Sequence, residues 1–318
     1  MLRSFYFFFF LTLASYCFGQ TNWRNVDSLY QPLPKSVRVF FTDQPIDTSP
    51  FKAFYLIADL KDKGLDFTTD TTFRRRFTPN QFYQKNNQSL VVVNGTFFSF
   101  ETNGNLNVVI RQGKLTSFNS KTARHPTDTT KKVSLYSSAL GISKKRNPDI
   151  AWIKTDSSKS YAKAVQFPYT HEGSFVGRNR NRNEVQDVNY DPFKKWKMET
   201  AIGGGPVLIQ EGHIKISNEE EQMFAGKAIN DKHPRTAMGY TADNKLIILV
   251  VEGRNPNAVG ATLRQEAQIL KELGCVEALN LDGGGSSCLL INGKETINPS
   301  DKNGQRPVPA VFLIQNKK

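Results

Sequence analysis

The chain has 318 residues, 38% of them hydrophobic and 22% charged, which excludes a disordered or repetitive polymer and allows one large core or two modest ones. Its 42 Lys and Arg against 29 Asp and Glu give a formal charge of +13, a balance that draws polyanions such as nucleic acid, anionic lipid or phosphorylated glycan, although a solvated Lys-rich surface accounts for much of it. No nucleic-acid-binding motif is present, and three Cys with four His argue against a zinc site.

Arg3, the apolar run Ser4 to Ala14 and the small residue Gly19 read as a secretory signal cleaved near Gly19, too short for a membrane anchor. This predicts an exported chain, periplasmic or extracellular, with no transmembrane helix once the signal is removed. A lipoprotein signal with Cys17 as the lipidated residue is the alternative, and the bulky Tyr16 speaks against it. Residues 20–50 read as an extended lead-in broken by Pro32, Pro34 and Pro45, with a strand near Val37 to Phe41. Phe51 to Ala58 is a strand, Thr78 to Lys85 a short helix opened by Thr-Pro, and Leu90 to Val93 a buried strand running into Asn94-Gly95-Thr96-Phe97-Phe98.

Leu106 to Arg111 and Lys114 to Phe118 form a hairpin about Gln112-Gly113. Residues 119–195 are irregular and rich in Lys, Arg, Asn and Ser; Ser134 to Ile142 holds a strand or two, and Arg178 to Asn183 is a surface loop or a lid. Beyond Ala201 the pattern sharpens. Gly203-Gly204-Gly205-Pro206 feeds a strand Val207 to Gln210, resumed at His213 to Ile216 after a Glu211-Gly212 turn. Arg235 to Tyr240 and Leu246 to Glu252 make a second hairpin. Thr262 to Leu273 is a helix with Leu263, Ala267, Leu270 and Leu273 on one face and Gly274 as its stop. Val276 to Leu281, Cys288 to Ile291 and Val308 to Ile314 complete the strands. The fold class is α+β, a mixed, largely hairpin-connected β-sheet core with a few packed helices. Cys275 and Cys288 read as small buried side chains rather than a disulfide, because pairing of the arms they sit on would leave them out of register.

Three constellations carry chemistry. In Asn280-Leu281-Asp282-Gly283-Gly284-Gly285-Ser286-Ser287 a carboxylate ends a buried strand, where it needs a task or a partner. The glycines admit a ligand to the backbone, their N–H groups can cradle an anion, and Ser286 and Ser287 add hydroxyls. A tight bend capped by Asp282 is the plainer reading. His233-Pro234-Arg235-Thr236-Ala237 with Glu252-Gly253-Arg254 offers a guanidinium to a phosphodiester beside a carboxylate, or a salt bridge at a sheet edge. Asn94 and Thr96 present an amide and a hydroxyl to sugar hydroxyls, or Asn94-Gly95 is a turn with Phe97 and Phe98 in the core. His125, His171 and His213 stand alone. No Gly-x-Ser-x-Gly elbow, Walker loop or His-Glu-x-x-His motif occurs.

Taken in order, Asn94 to Phe98, Gly203 to Leu208, His233 to Ala237, Leu270 to Ser287 and Gln305 to Ala310 resemble the phosphodiester glycosidase family. The resemblance runs from about residue 90 to the C-terminus and leaves the basic middle unmatched. It divides the chain into a signal (1–19), a lead-in (20–89) and a phosphodiester glycosidase-like domain (90–318), lead-in and domain forming one compact unit. It implies hydrolysis of the anomeric C–O bond of a sugar-1-phosphodiester. Asp282, Glu252 and Arg235 would be the reacting groups, with Asn94, Thr96, Gly283, Gly284, Gly285, Ser286, Ser287 and Arg306 binding substrate. The resemblance suggests an N-acetylglucosamine-1-phosphodiester-like compound, while the lack of the Cys-rich modules and membrane anchor of animal members puts a tagged glycoprotein in doubt and favours an envelope or capsule glycan or a scavenged glycosyl phosphodiester. No cofactor is required by the sequence, and a divalent cation at Asp282 stays open. Two alternatives stand beside this reading: a non-catalytic binding or assembly protein for anionic polysaccharide, and a phosphodiesterase that cleaves P–O.

Overall fold

The computed structural model describes residues 21–119, 122–124, 132–169 and 191–317. The signal segment with Cys17, His125, His171 and the Arg178 to Asn183 run lie outside the described residues. Three antiparallel sheets carry the fold. The eight-stranded sheet runs, in spatial order, Arg24–Asn25, Val37–Thr42, Ala53–Asp59, Lys245–Val251, Arg235–Thr241, Cys275–Asn280, Val207–Gln210 and His213–Ile214. A seven-stranded sheet is built about Ser138–Ile142 and Pro148–Lys154. The five-stranded sheet orders Lys294–Glu295, Leu289–Ile291, Val91–Asn94, Ala310–Asn316 and Leu65–Thr71.

Strands apolar at every position are buried on both faces, and the core shows it. Leu246, Ile248 and Val250 join a central cluster where all three sheets meet, together with Leu140, Trp152, Ile202, Val91, Val93 and Phe312. Their alternate neighbours Ile247, Leu249 and Val251 face Leu263, Ala267 and Leu270 on the other side of the eight-stranded sheet. Those three residues belong to helix α3 (Leu263–Glu272) of the described set, whose two predecessors are α1 (Pro79–Lys85) and α2 (Asn218–Glu221). Helices α1 and α3 each open on a capping box, Thr78 with Gln81 and Thr262 with Gln265, so the first-turn amides have partners before any tertiary contact forms. Gly274, at φ 85°, ends α3 in the left-handed region a side chain resists.

This is the α+β, largely hairpin-connected architecture expected from the sequence. The longer strands among those not anticipated are Leu65–Thr71, Pro148–Lys154 and Thr200–Gly203, joined by short ones such as Lys163–Val165 and Lys294–Glu295. The arms carrying the two cysteines do not pair; Cys275–Asn280 lies in the eight-stranded sheet and Leu289–Ile291 in the five-stranded one, and both thiols are free and buried. The glycine loop between them therefore crosses from one sheet to the other, and that crossing is where the site forms. No helix among the described residues is long and apolar enough to cross a membrane.

Candidate active site

Two strand ends meet at the crossing. Val91–Asn94 finishes beside the chain that leaves Cys275–Asn280, where Asp282 N–H donates to Gly95 O at 3.0 Å. Asn94 is fully buried and its amide is committed at both ends. Nδ2 donates to Asp282 O at 2.5 Å, while Oδ1 accepts from Thr236 Oγ1 at 2.9 Å and from Cys288 N–H at 3.0 Å. One side chain thus fixes the entry and the exit of the glycine loop and ties both to the Arg235–Thr241 strand. Pro234 O adds a further tie, accepting from Gly284 N–H at 2.8 Å.

Of the loop amides, those of Gly284, Ser286 and Ser287 are taken by Pro234, Gly283 and Gly284. The glycines serve close approach instead of a wide amide cradle. A Cβ on Gly283 would lie 2.8 Å from Pro234 O, one on Gly284 would lie 3.0 Å from Arg254 Nη2, and one on Gly285 only 2.2 Å from Arg306 Nη2. Two guanidinium groups consequently lie over the loop. Arg306 is held there by Asp301, to whose Oδ2 its Nε donates at 2.7 Å.

Asp282 keeps part of its surface open, yet protein surrounds its carboxyl, and burial pushes that carboxyl up to about 7. The nearby Ser286 hydroxyl, the Arg306 charge and the Gly283 N–H pull the other way without overcoming it. Ser286 Oγ makes no hydrogen bond of normal geometry, and neither does Ser287 Oγ; both are buried. A carboxyl titrating near neutrality can take or give a proton, and two cations beside it suit an anionic ligand.

The remaining candidates divide. Arg235 is 2% exposed; its Nε donates to Ala261 O at 2.9 Å and its Nη2 to Asp231 O at 3.2 Å, with Phe224 against its guanidinium. Beneath it, on α3, lies Glu266, fully buried and with neither carboxylate oxygen hydrogen-bonded. Burial pushes Glu266 up to about 8 against the attraction of Arg235. Glu252 is also buried, accepting from Asn298 N–H at 3.0 Å and Asn255 Nδ2 at 3.1 Å, and no hydrogen bond or ion pair links it to Asp282. Thr96 Oγ1 donates to Asn105 Oδ1, which extends the strand-end network to Thr71. His233, beside the loop-binding Pro234, is held below its usual value by burial and by the Arg235 and Arg254 charges. His213 is an exposed strand-end residue.

Two contributors escaped the sequence reading. Arg254 was noted beside Glu252 but not given a place in the pocket; its left-handed backbone, φ 64°, turns the chain after the strand so that the side chain returns over Gly284. Thr236 was part of a motif without a role. The only local hint to Arg254 was its place directly after Gly253 at a strand end. No group of three or more His, Cys, Asp or Glu arranged to hold a metal ion occurs among the described residues. A cavity of about 400 Å³ lies elsewhere, between α3 and residues 44–47, and shares no lining residue with the loop.

Comparison with known proteins bears on the fold and the family. The zebrafish N-acetylglucosamine-1-phosphodiester alpha-N-acetylglucosaminidase catalytic domain, solved auto-inhibited by its pro-peptide, superposes with a TM-score of 0.62 at 20% identity over 90% of this chain and 85% of that one. A hypothetical protein from Synechocystis gives 0.60 at 15% identity over 92% of this chain and 63% of that one. At such identities the likeness establishes the fold. In sequence, the mouse N-acetylglucosamine-1-phosphodiester alpha-N-acetylglucosaminidase is 30% identical over 148 residues, 46% of this chain and 28% of that protein. A Bacillus subtilis prophage-derived protein, YomE, is 40% identical over 80 residues, 25% of this chain and 12% of its own length. The chain therefore matches well under half the length of these relatives. The phosphodiester glycosidase family model matches residues 157–315, a span that holds Arg235, Glu252, Arg254, Asp282 with its glycine loop and Arg306. On that match, which spans half of its length, the chain belongs to the phosphodiester glycosidase family.

Proposed function

We propose that this protein hydrolyses the anomeric C–O bond of a sugar-1-phosphodiester, and that it does so after export, outside the cytoplasm. The observation that carries the reading is the Asp282 carboxyl, lifted to about 7, on a loop overlain by the guanidinium groups of Arg254 and Arg306. In this mechanism the phosphodiester rests against those two cations. Water attacks the anomeric carbon and gives a proton to ionised Asp282. The C–O bond breaks with its electrons moving to the phosphate oxygen, and a phosphomonoester leaves. Charge grows on phosphate in the transition state, where fixed cations assist most. A phosphate is a good leaving group, so the site needs no strong acid opposite the base. Glu252, tied to Asn298 and Asn255, and Arg235, tied to backbone carbonyls, are given positioning roles beneath the loop.

Because the mouse and zebrafish relatives are named for an N-acetylglucosamine-1-phosphodiester, that compound class is the first to assay, with UDP-N-acetylglucosamine among it. Hydrolysis in ¹⁸O-labelled water decides the bond. Label on the released sugar supports C–O cleavage, whereas label on phosphate makes the chain a phosphodiesterase. Binding of anionic polysaccharide without any product, in wild type as in Asp282→Asn, makes it a binding or assembly protein.

A further inference from the structure

Beyond the loop, Arg306 turns a second face to an unusual surface. Its Cζ lies 5.5 Å from the ring centre of Phe100, and Arg76 lies 5.2 Å from the same ring and 5.2 Å from that of Phe98. Phe98 and Phe100 are themselves 4.8 Å apart. With both guanidiniums beside it, Phe100 remains 64% exposed, and Phe73, carrying Arg74 at 5.2 Å, is 82% exposed. Arg74 and Arg76 have no carboxylate partner among the described residues, in contrast to Arg306 with Asp301. Large exposed aromatic rings are uncommon on a soluble surface unless something covers them.

The chemistry of the patch narrows what that is. An apolar protein partner would bury three guanidinium groups at heavy cost. A ligand that alternates flat C–H faces with phosphates would lay the first on the rings and the second against the cations. Arg306 lies over Gly285 on one side and against Phe100 on the other, so a phosphodiester held at the loop would be one guanidinium away from the patch. Resting on the glycosidase reading above, we propose that Phe100, Arg76 and the outer face of Arg306, extended by Phe73 and Arg74, bind the next unit of a phosphodiester-linked glycan, so that the substrate is a polyanionic chain and not a single glycosyl phosphodiester.

The test compares the methyl phosphodiester of a sugar-1-phosphate with an oligomer of the same sugar joined through 1-phosphodiesters, using the intact chain. Phe100→Ala and Arg76→Ala should each raise KM for the oligomer about tenfold, the size of effect expected for removing one stacking or phosphate contact. Neither should change kcat for either compound, nor KM for the methyl ester, by more than about twofold. Phe100→Tyr, which keeps the ring, should restore the oligomer KM. An equal change for both compounds, or none for either, overturns the assignment. If neither compound is turned over, the glycosidase reading fails separately, and calorimetric binding of the oligomer still tests the patch. A roughly tenfold weaker affinity in Phe100→Ala then sustains it, and equal affinities sink it. Duplex DNA or anionic-lipid vesicles competing as well as the oligomer would overturn the glycan as occupant.

Discussion

Arg306 lies across Gly285 so closely that a Cβ there would fall 2.2 Å from its Nη2. The obstruction is the far end of a side chain, not backbone, so Gly285→Ala should displace the guanidinium and leave the loop in place. Turnover is expected to drop roughly ten- to a hundredfold, since one aligned charge donor is lost, while stability moves by less than about 1 kcal/mol. Melting temperature and kcat measured together check this; full turnover would mean that the position of Arg306 is immaterial.

The raised Asp282 carboxyl sets the pH response. If its ionised form is the base, kcat should climb as pH rises through about 7 and then level off. The positive charge of Arg306 pulls that carboxyl down, so Arg306→Gln should carry the inflection upward by about a unit. Asp282→Asn should lower turnover about a hundredfold or more at every pH. A pH–rate profile for the three proteins gives the answer, and an inflection unmoved in Arg306→Gln would separate the titrating group from Asp282.

Glu252 should behave differently. Its carboxylate accepts from Asn298 N–H and from Asn255, so Glu252→Gln leaves buried donors badly matched. A loss of about 1–3 kcal/mol in urea unfolding is expected, with a fall in kcat at least tenfold smaller than that of Asp282→Asn. Equal losses of turnover with unchanged stability would promote Glu252 to the reacting group.

Glu266 makes a prediction about stability. Its carboxyl is pushed up to about 8 in the fold, above the ordinary carboxylate range of the unfolded chain. The folded state therefore holds the proton more tightly, and this contribution is whole at acid pH and lost as pH rises from about 4.5 to about 8. Glu266→Gln keeps the neutral shape and should gain roughly 2–4 kcal/mol over wild type at pH 8, and little at pH 4.5. Asp282 acts with the same sign up to about 7, so some slope persists in the variant. Urea midpoints across this pH range test it, and identical slopes would mean that Glu266 is solvated after all.

Much of this was legible where sequence pattern and environment agree. Lys245–Val251 is apolar almost throughout because both its faces are covered, and α3 announces itself through its spacing, its Thr262 cap and Gly274. Leu65–Thr71 was not legible, since three of its five buried positions, Thr68, Thr69 and Asp70, are polar. Thr69 Oγ1 donates to Ile110 O at 2.9 Å, and Asp70 is paired with Lys85 and Arg111, each at 2.7 Å, so the apolar rhythm begun by Leu65 and Phe67 stops after two residues. At the site, Asp282 and its glycines stood out locally, and Arg306 entered through the family resemblance. Arg254, Arg76 and Phe100 reach the loop or its margin only by tertiary approach, which no local spacing encodes.

Asn94 also carries a chemical liability that the fold suppresses. An Asn followed by Gly is the pairing most prone to cyclise, because the following amide nitrogen can attack the side-chain carbonyl with little steric hindrance. Here the Gly95 N–H is bound to Ala310 O at 3.2 Å, and the Asn94 side-chain oxygen is held by Thr236 and Cys288. Attack requires both to let go. The folded protein thus preserves this amide, whereas each excursion to the unfolded state exposes it. An aspartate formed there could no longer donate to the carbonyl of Asp282, so the chain's working lifetime is coupled to how rarely it unfolds.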